Sequence, residues 1–338
     1  MRGAATGGVR SPLTTWFAGP AALARFRRTR LGKTPTVLPP RDGAWRAVAP
    51  DFASVVAMAA SGLPFQIADE RRYDRAADPR RLRPALRSGA TVFLPQVHQV
   101  LPRLMRLMVA LRVALLGPLR EECSFLFAVE GRGRTGMGLH HDGAIDAFWL
   151  QLEGCRTVTL GPRVAPGTPS DLPARARRGR GWRTLALAPG TLFHVPPWTP
   201  HDVVCHGRSL ALSLTWHRPT ARARSIARDA RARARALVSW DVVSGRVDGI
   251  PRASRTRVFT QVPVAAAGRG VMTPDGVVPL PAAARALARR LALMPSFPRP
   301  ADARGLAALA AHGIVEPYDL PLRILPDAPR ALDGWKFA

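Results

Sequence analysis

From residue 124 to residue 216 the sequence breaks into short apolar runs, with Gly and Pro punctuating the segments between them. The runs cover 124–129, 147–152, 157–160, 184–187, 191–195, 202–204 and 210–216. Each is too short for a packed helix, and most are rich in Val, Leu, Phe, Trp and Thr, which suit a pleated, half-buried surface. Many short strands with turn signals between them argue for a sandwich or jelly roll rather than alternating βα units.

The flanks read differently. Residues 21–30 and 51–62 suit helices, the second with Asp51 as its cap and Gly62 as its stop. Residues 36–38 are extended, 67–90 are charged and either irregular or helical, and 91–94 form a strand. Val100, Leu101, Leu104, Met105, Met108, Leu111 and Leu115 recur at helical spacing over 97–116, and Gly117-Pro118 ends the run. Pro102 is tolerated only in a first turn, so the helix proper starts near it. Residues 219–238 are rich in Arg and Ala and read as a helix. The tail carries two further helices, 281–294 and 301–312, and an extended run at 321–325.

The expected fold class is α+β. The expected division is an N-terminal helical and mixed lead-in (1–89), a strand-rich core (90–218), a helical linker or dimerisation segment (219–260) and a winged-helix-like module (261–338). At 47% apolar residues, the chain of 338 can bury a full core, which excludes global disorder. Cys123, Cys155 and Cys205 have no framework spacing and suit reduced thiols in a cytoplasmic protein. No run of 18 apolar residues occurs, so no membrane span is expected. The net charge is +27, and only two of the 50 basic residues are lysines. Codon bias can exchange Lys for Arg but does not explain the deficit of acids. The positive field therefore attracts polyanions, and contact with nucleic acid through a basic surface is an expectation.

Gly138-Leu139-His140-His141-Asp142-Gly143 lies within the strand-rich stretch, and His201 follows Pro196-Pro197-Trp198-Thr199-Pro200 about 60 residues later. Side chains two apart share one face of a strand, so His140 and Asp142 can point inward together while His141 points away. Two imidazoles and a carboxylate form a facial ligand set for non-haem iron(II), leaving three positions open. A bidentate 2-oxo acid can take two of these, and its far carboxylate then needs an anchor. Arg156 follows one strand and a tight Glu153-Gly154 turn, and a guanidinium grips a carboxylate with paired hydrogen bonds. Thr215 and Ser213 share one face of a late strand, and either hydroxyl can add a bond. His194 and His206, which flank the distal ligand, read as a partly buried strand histidine and an exposed loop histidine.

The run 138–156 resembles the core of the JmjC-type, cupin-like oxygenases, and within them the ribosomal oxygenase branch. The residues that carry the resemblance are Asp146, Phe148, Leu150, Gln151, Gly154 and Arg156, followed by Ala188-Pro189-Gly190 and Val195-Pro196-Pro197 through to His201. Together the motifs cover about residues 90–217. The resemblance implies a double-stranded β-helix (a cupin-like jelly roll), iron(II) and 2-oxoglutarate as co-substrate. It also implies a helical dimerisation segment, hence a homodimer, and a C-terminal winged-helix-like domain. By the family pattern the iron ligands are His140, Asp142 and His201, and the co-substrate anchor is Arg156. The chain departs from that pattern by one extra residue between Asp142 and Asp146, an arginine-rich loop at 130–136, and Thr157-Val158 in place of an aromatic.

The leading expectation is a hydroxylase acting on a protein substrate, with ribosomal proteins the first class to examine. Two other readings stand beside it. One is the same chemistry on a small molecule or peptide of specialised metabolism. The other is a non-catalytic cupin-like regulatory protein that binds nucleic acid.

Overall fold

The computed structural model describes residues 11–60, 65–69, 72–74, 78–95, 97, 101–116, 121–131, 137–173, 176, 180–217, 257–259, 265–273, 276–293, 296–298, 303–312, 314 and 316–318. The expected helix at 219–238 and the extended run at 321–325 lie outside these residues.

The N-terminal part holds α1 (Pro20–Thr29), β1 (Thr36–Leu38), α2 (Phe52–Ala60), β2 (Gln66–Asp69), β3 (Arg72–Asp74), α3 (Leu82–Ser88), β4 (Thr91–Pro95) and α4 (Pro102–Leu111). Local chemistry sets several of these boundaries. Pro20 opens α1, where a missing N–H costs nothing. Asp51 Oδ1 accepts from the Ser54 N–H at 2.8 Å and caps α2. Gly89, at φ +82, closes α3. Pro102 is the first residue of α4, as its chemistry demands, and the helix runs on as one wide turn, Arg112–Leu116.

The core strands are β5 (Glu121–Val129), β6 (Ile145–Glu153), β7 (Arg156–Leu160), β8 (Arg183–Leu187), β9 (Leu192–Val195), β10 (His201–Cys205) and β11 (Ser209–His217). They form two sheets. The larger has the order β1-β9-β6-β11-β5-β4-β2-β3, the smaller β10-β7-β8, and every pairing is antiparallel. Strands from the expected lead-in thus supply both edges of the larger sheet. Three-residue strands such as β1 and β3 carry too little pattern to be assigned from sequence, and neighbouring edges recruit them.

Alternation along β6 separates two apolar layers. Phe148, Leu150 and Leu152 face the main core, which includes Phe26, Val55, Leu104, Met108 and Leu111 from the helices. Ala147 and Trp149 face inward, with Phe193 and Val195 of β9 and with Val158, Leu160 and Leu187 of the smaller sheet. The larger sheet is therefore buried on both faces at β6, which explains the nearly unbroken apolar run there. In β7 burial alternates, because the outer face of the smaller sheet is open. Gly154 sits at φ +68 in the turn from β6 to β7, and a Cβ there would lie 2.0 Å from the Arg208 carbonyl oxygen. Only glycine allows that return between sheets.

Beyond the core come β12 (Arg257–Phe259), β13 (Ala265–Ala267), β14 (Gly270–Thr273), β15 (Gly276–Pro279), α5 (Ala282–Leu293), β16 (Ser296–Pro298), α6 (Ala303–Ala311) and β17 (Glu316–Tyr318). Val271, Leu280, Ala284, Leu287, Leu306, Leu309 and Ile314 make a separate small core there. No helix among the described residues is long and apolar enough to cross a membrane.

Candidate metal centre

His140, Asp142 and His201 converge: one ligand atom from each lies within 4.8 Å of the others. His201 is the first residue of β10. His140 does not lie in a regular strand, contrary to the alternation argument. It makes isolated bridges to His201 on one side and Asp171 on the other. His140 N donates to His201 O at 3.0 Å, and His201 N donates to His140 O at 2.8 Å. The β7–β8 connection clamps the same segment: His141 N donates to Ser170 O at 3.1 Å and Leu172 N to Leu139 O at 3.0 Å. A loop is thereby held as firmly as a strand. His141 turns from the triad. It is buried, with Nε2 against the Thr168 and Pro169 carbonyls and Nδ1 accepting from Gly143 N.

The tautomers follow from the backbone. His140 Nδ1 lies 2.8 Å from Gly138 O, and His201 Nδ1 lies 2.9 Å from Thr199 O. A carbonyl only accepts, so each Nδ1 carries the proton and each Nε2 presents a lone pair. Those two Nε2 atoms face each other at 3.2 Å. Asp142 Oδ1 lies 3.6 Å from His140 Nε2, and its Oδ2 lies 3.9 Å from His201 Nε2. Burial, reinforced by the neighbouring His140 and partly offset by Asp142, holds His201 down to about 4. At neutral pH it therefore takes no proton to separate the lone pairs. A divalent cation does so: bonds of about 2.1 Å place adjacent octahedral donors about 3 Å apart. The donor set N, N, O suits non-haem iron(II).

An open cleft of about 440 Å³ leads to this triad, lined by Met137, His141, Gly143, Thr168, Ser170, Asp171 and Trp198 as well as by His140 and Asp142. Trp198 is the one non-glycine among the described residues with positive φ, at 62°. Its N–H donates to Gly143 O at 2.8 Å and its carbonyl accepts from Val164 N at 2.9 Å, so both neighbouring loops hold it in that conformation.

Arg156 opens β7 and is buried. Its Nε donates to Gln151 Oε1 at 2.6 Å. Gln151 is itself oriented by Nε2 bonds to Glu153 O at 2.6 Å and Ser209 Oγ at 3.0 Å. Arg156 Nη2 is buried with no acceptor among the described residues. Desolvation lowers the guanidinium from its ordinary value, but an arginine remains charged, so a buried cation is left with an unused donor. Such a donor suits a carboxylate oxygen. Thr215 and Ser213 lie on the inner face of β11, opposite Ala147 and Trp149 of β6. Cys205 pairs with Arg156 in the β10–β7 ladder and its thiol is pushed up by burial, whereas Cys155 is exposed.

Residues 119–223 match the family described as the JmjC domain. The chain carries a JmjC domain. Among solved structures, Escherichia coli ribosomal oxygenase YcfD matches with a TM-score of 0.54 at 15% identity, over 87% of this chain and 97% of that one. A second YcfD structure, in complex with cobalt and 2-oxoglutarate, matches with a TM-score of 0.51 at 14% identity over the same shares. No curated protein matches. At this identity the likeness is one of fold.

His194 is not part of the JmjC site. It lies on the far face of β9, fully buried, 3.2 Å from Asp146 Oδ1 and edge-on to Phe26. His206 is exposed, as expected. Three contributors escaped the sequence reading: the role of Gln151 in orienting Arg156, the position of Trp149, and the 168–172 clamp. The first had a signal, since Gln151 and Arg156 flank the Gly154 turn and alternation puts Gln151 on the inner face. The clamp had none, because backbone bridges carry no residue preference.

Proposed function

We propose that this chain is an iron(II)- and 2-oxoglutarate-dependent hydroxylase acting on a protein substrate. One observation carries the reading: two imidazoles locked with their lone pairs face to face beside a carboxylate, in the same JmjC barrel as a buried arginine with a spare donor. When bound there, iron(II) would supply the chemistry by which dioxygen is split, one oxygen atom entering a substrate C–H bond and the other the succinate left when 2-oxoglutarate loses carbon dioxide.

The residues of the chain divide the remaining work. His140, Asp142 and His201 hold the metal, and the Gly138 and Thr199 carbonyls keep both rings in the ligating tautomer. Arg156, aligned by Gln151, grips the distal carboxylate of the co-substrate, and Thr215 adds a hydroxyl on the facing wall. The apolar layer between the sheets keeps water from the stretch between the metal ligands and Arg156. The open cleft past Trp198 and Asp171 has room for a side chain presented by another macromolecule. A ribosomal protein is the first class to test, since the structural neighbour YcfD is a ribosomal oxygenase. The net charge of +27 would draw such a partner through its nucleic acid. In this reading the protein works in the cytoplasm, 219–260 serves dimerisation, and 261–338 is the winged-helix-like module.

The test is conversion of 2-oxoglutarate to succinate by the purified chain with iron(II) and ascorbate. Wild type turns over, and Asp142→Ala falls at least about 100-fold, since a bound metal contributes several kcal/mol. Equal turnover by the variant would refute the site.

A further inference from the structure

Between its two charged ends the barrel is walled by an indole. In the β10–β7 ladder His201 pairs with Leu160 and Cys205 pairs with Arg156, so the metal ligand and the anchor start from opposite ends of the same pair of strands. Four residues of strand separate those ends by about 13 Å. The two side chains approach each other across Trp149, which reaches inward from the facing sheet. The Arg156 Cζ lies 5.9 Å from the indole centroid, and the His201 ring meets the indole edge-on at 4.9 Å and 77°. Trp149 is buried, backed by the Phe193 ring at 5.6 Å, and paired with Ser213 in the β6–β11 ladder. A tryptophan packed on both ends has few alternative rotamers, and well-packed interiors do not yield by a methylene without cost.

We infer that Trp149 is the residue that sets which 2-oxo dicarboxylate this barrel accepts. The inference rests on the proposed co-substrate reading. A dicarboxylate bound between the metal and Arg156 must lay its methylenes along the indole. The indole's contacts with His201 and Arg156 hold those groups at one spacing. A co-substrate of the right length meets both, and one longer by a methylene must displace the indole or lose the arginine. One methylene in a fitted pocket is worth about 10- to 200-fold in discrimination. Trp149 is thus a specificity-determining residue, and exchanging it for a smaller apolar side chain relaxes the length limit.

The experiment is isothermal titration of the full chain loaded with manganese(II), which binds without turnover, against 2-oxoglutarate and 2-oxoadipate. Wild type, Trp149→Leu and Trp149→Phe are compared, with manganese affinity and thermal melting recorded for each. Wild type prefers 2-oxoglutarate by about 10-fold or more. In Trp149→Leu the preference shrinks to about threefold or less, mainly through a gain in 2-oxoadipate affinity, with each titration run at manganese saturation as set by the recorded metal affinity. Trp149→Phe keeps part of the wall and falls between, and it decides the matter if the leucine variant does not fold. A preference that persists undiminished in the variants, or that wild type lacks, overturns the inference while leaving the co-substrate reading intact. Failure of the manganese-loaded wild type to bind either 2-oxo acid overturns both.

Discussion

At one end of the barrel, His140, Asp142 and His201 turn acceptor atoms toward one another; at the other, Arg156 holds a buried donor with no acceptor among the described residues. The two ends are also built differently. The metal end is a loop held by single bridges, half open to a cleft, with the Asp142 side chain 28% exposed. The anchor end lies within continuous ladders, with Gln151 and Arg156 both buried. In the proposed reading one end takes a cation and the other an anion, and a metal with a dicarboxylate supplies both. The contrast also separates access from retention, since in that reading the reacting end admits a substrate while the anchor end holds the co-substrate.

The sharpest break is Arg156→Met. Replacing the buried cation with an apolar side chain removes the anchor and leaves the metal ligands untouched. Losing one partner of a buried charged hydrogen bond costs about 2–5 kcal/mol, or about 30-fold or more. Titration of the manganese-loaded variant with 2-oxoglutarate is expected to show that loss, with manganese affinity within about threefold of wild type. Parallel loss of metal affinity would mean that the two ends are one unit rather than two.

The metal end makes its own prediction through protons. His201 is held at about 4 against an ordinary value of 6.5, so the folded, metal-free protein binds fewer protons than the unfolded chain between those values. Its contribution is therefore fully present above about pH 6.5 and is lost as pH falls through about 4, at most ~3 kcal/mol. Urea unfolding of metal-free protein from pH 7.5 to 4 is expected to show this fall, and His201→Asn is expected to show a shallower one. Identical slopes would contradict the placement of His201.

A smaller effect is expected from Gln151→Leu. It leaves the Arg156 Nε without its 2.6 Å acceptor, which costs about 1–3 kcal/mol of stability. The KM for 2-oxoglutarate rises about tenfold with the metal affinity unchanged, because an unaligned guanidinium still carries its charge. A change in metal affinity instead would place Gln151 at the wrong end.

The turn that carries Arg156 was the more legible in the sequence, although the bond from Gln151 was not read there. Gln151, Gly154 and Arg156 lie around a turn between strands whose alternation is strong, and side-chain period alone puts Gln151 and Arg156 inside. At the metal end the residue types were legible but the geometry was not. Strand alternation selected His140 over His141, yet the segment is a bridged loop, held by carbonyls of residues 168–170 that no motif marks. The lead-in strands were hidden for a related reason: β3, Arg72–Asp74, is short and charged and is strand only because β2 pairs with it. The positive φ of Trp198 was equally invisible, since sequence patterns place glycine in that conformation.

If a cation and an anion complete the two ends of one site through a shared ligand, their binding must be linked, and linkage is reciprocal. The most direct test titrates 2-oxoglutarate into the full-length protein with and without saturating manganese(II). The account predicts that the metal tightens 2-oxoglutarate binding at least about tenfold, and that 2-oxoglutarate tightens manganese binding by the same factor. Equal affinity in both titrations would contradict it.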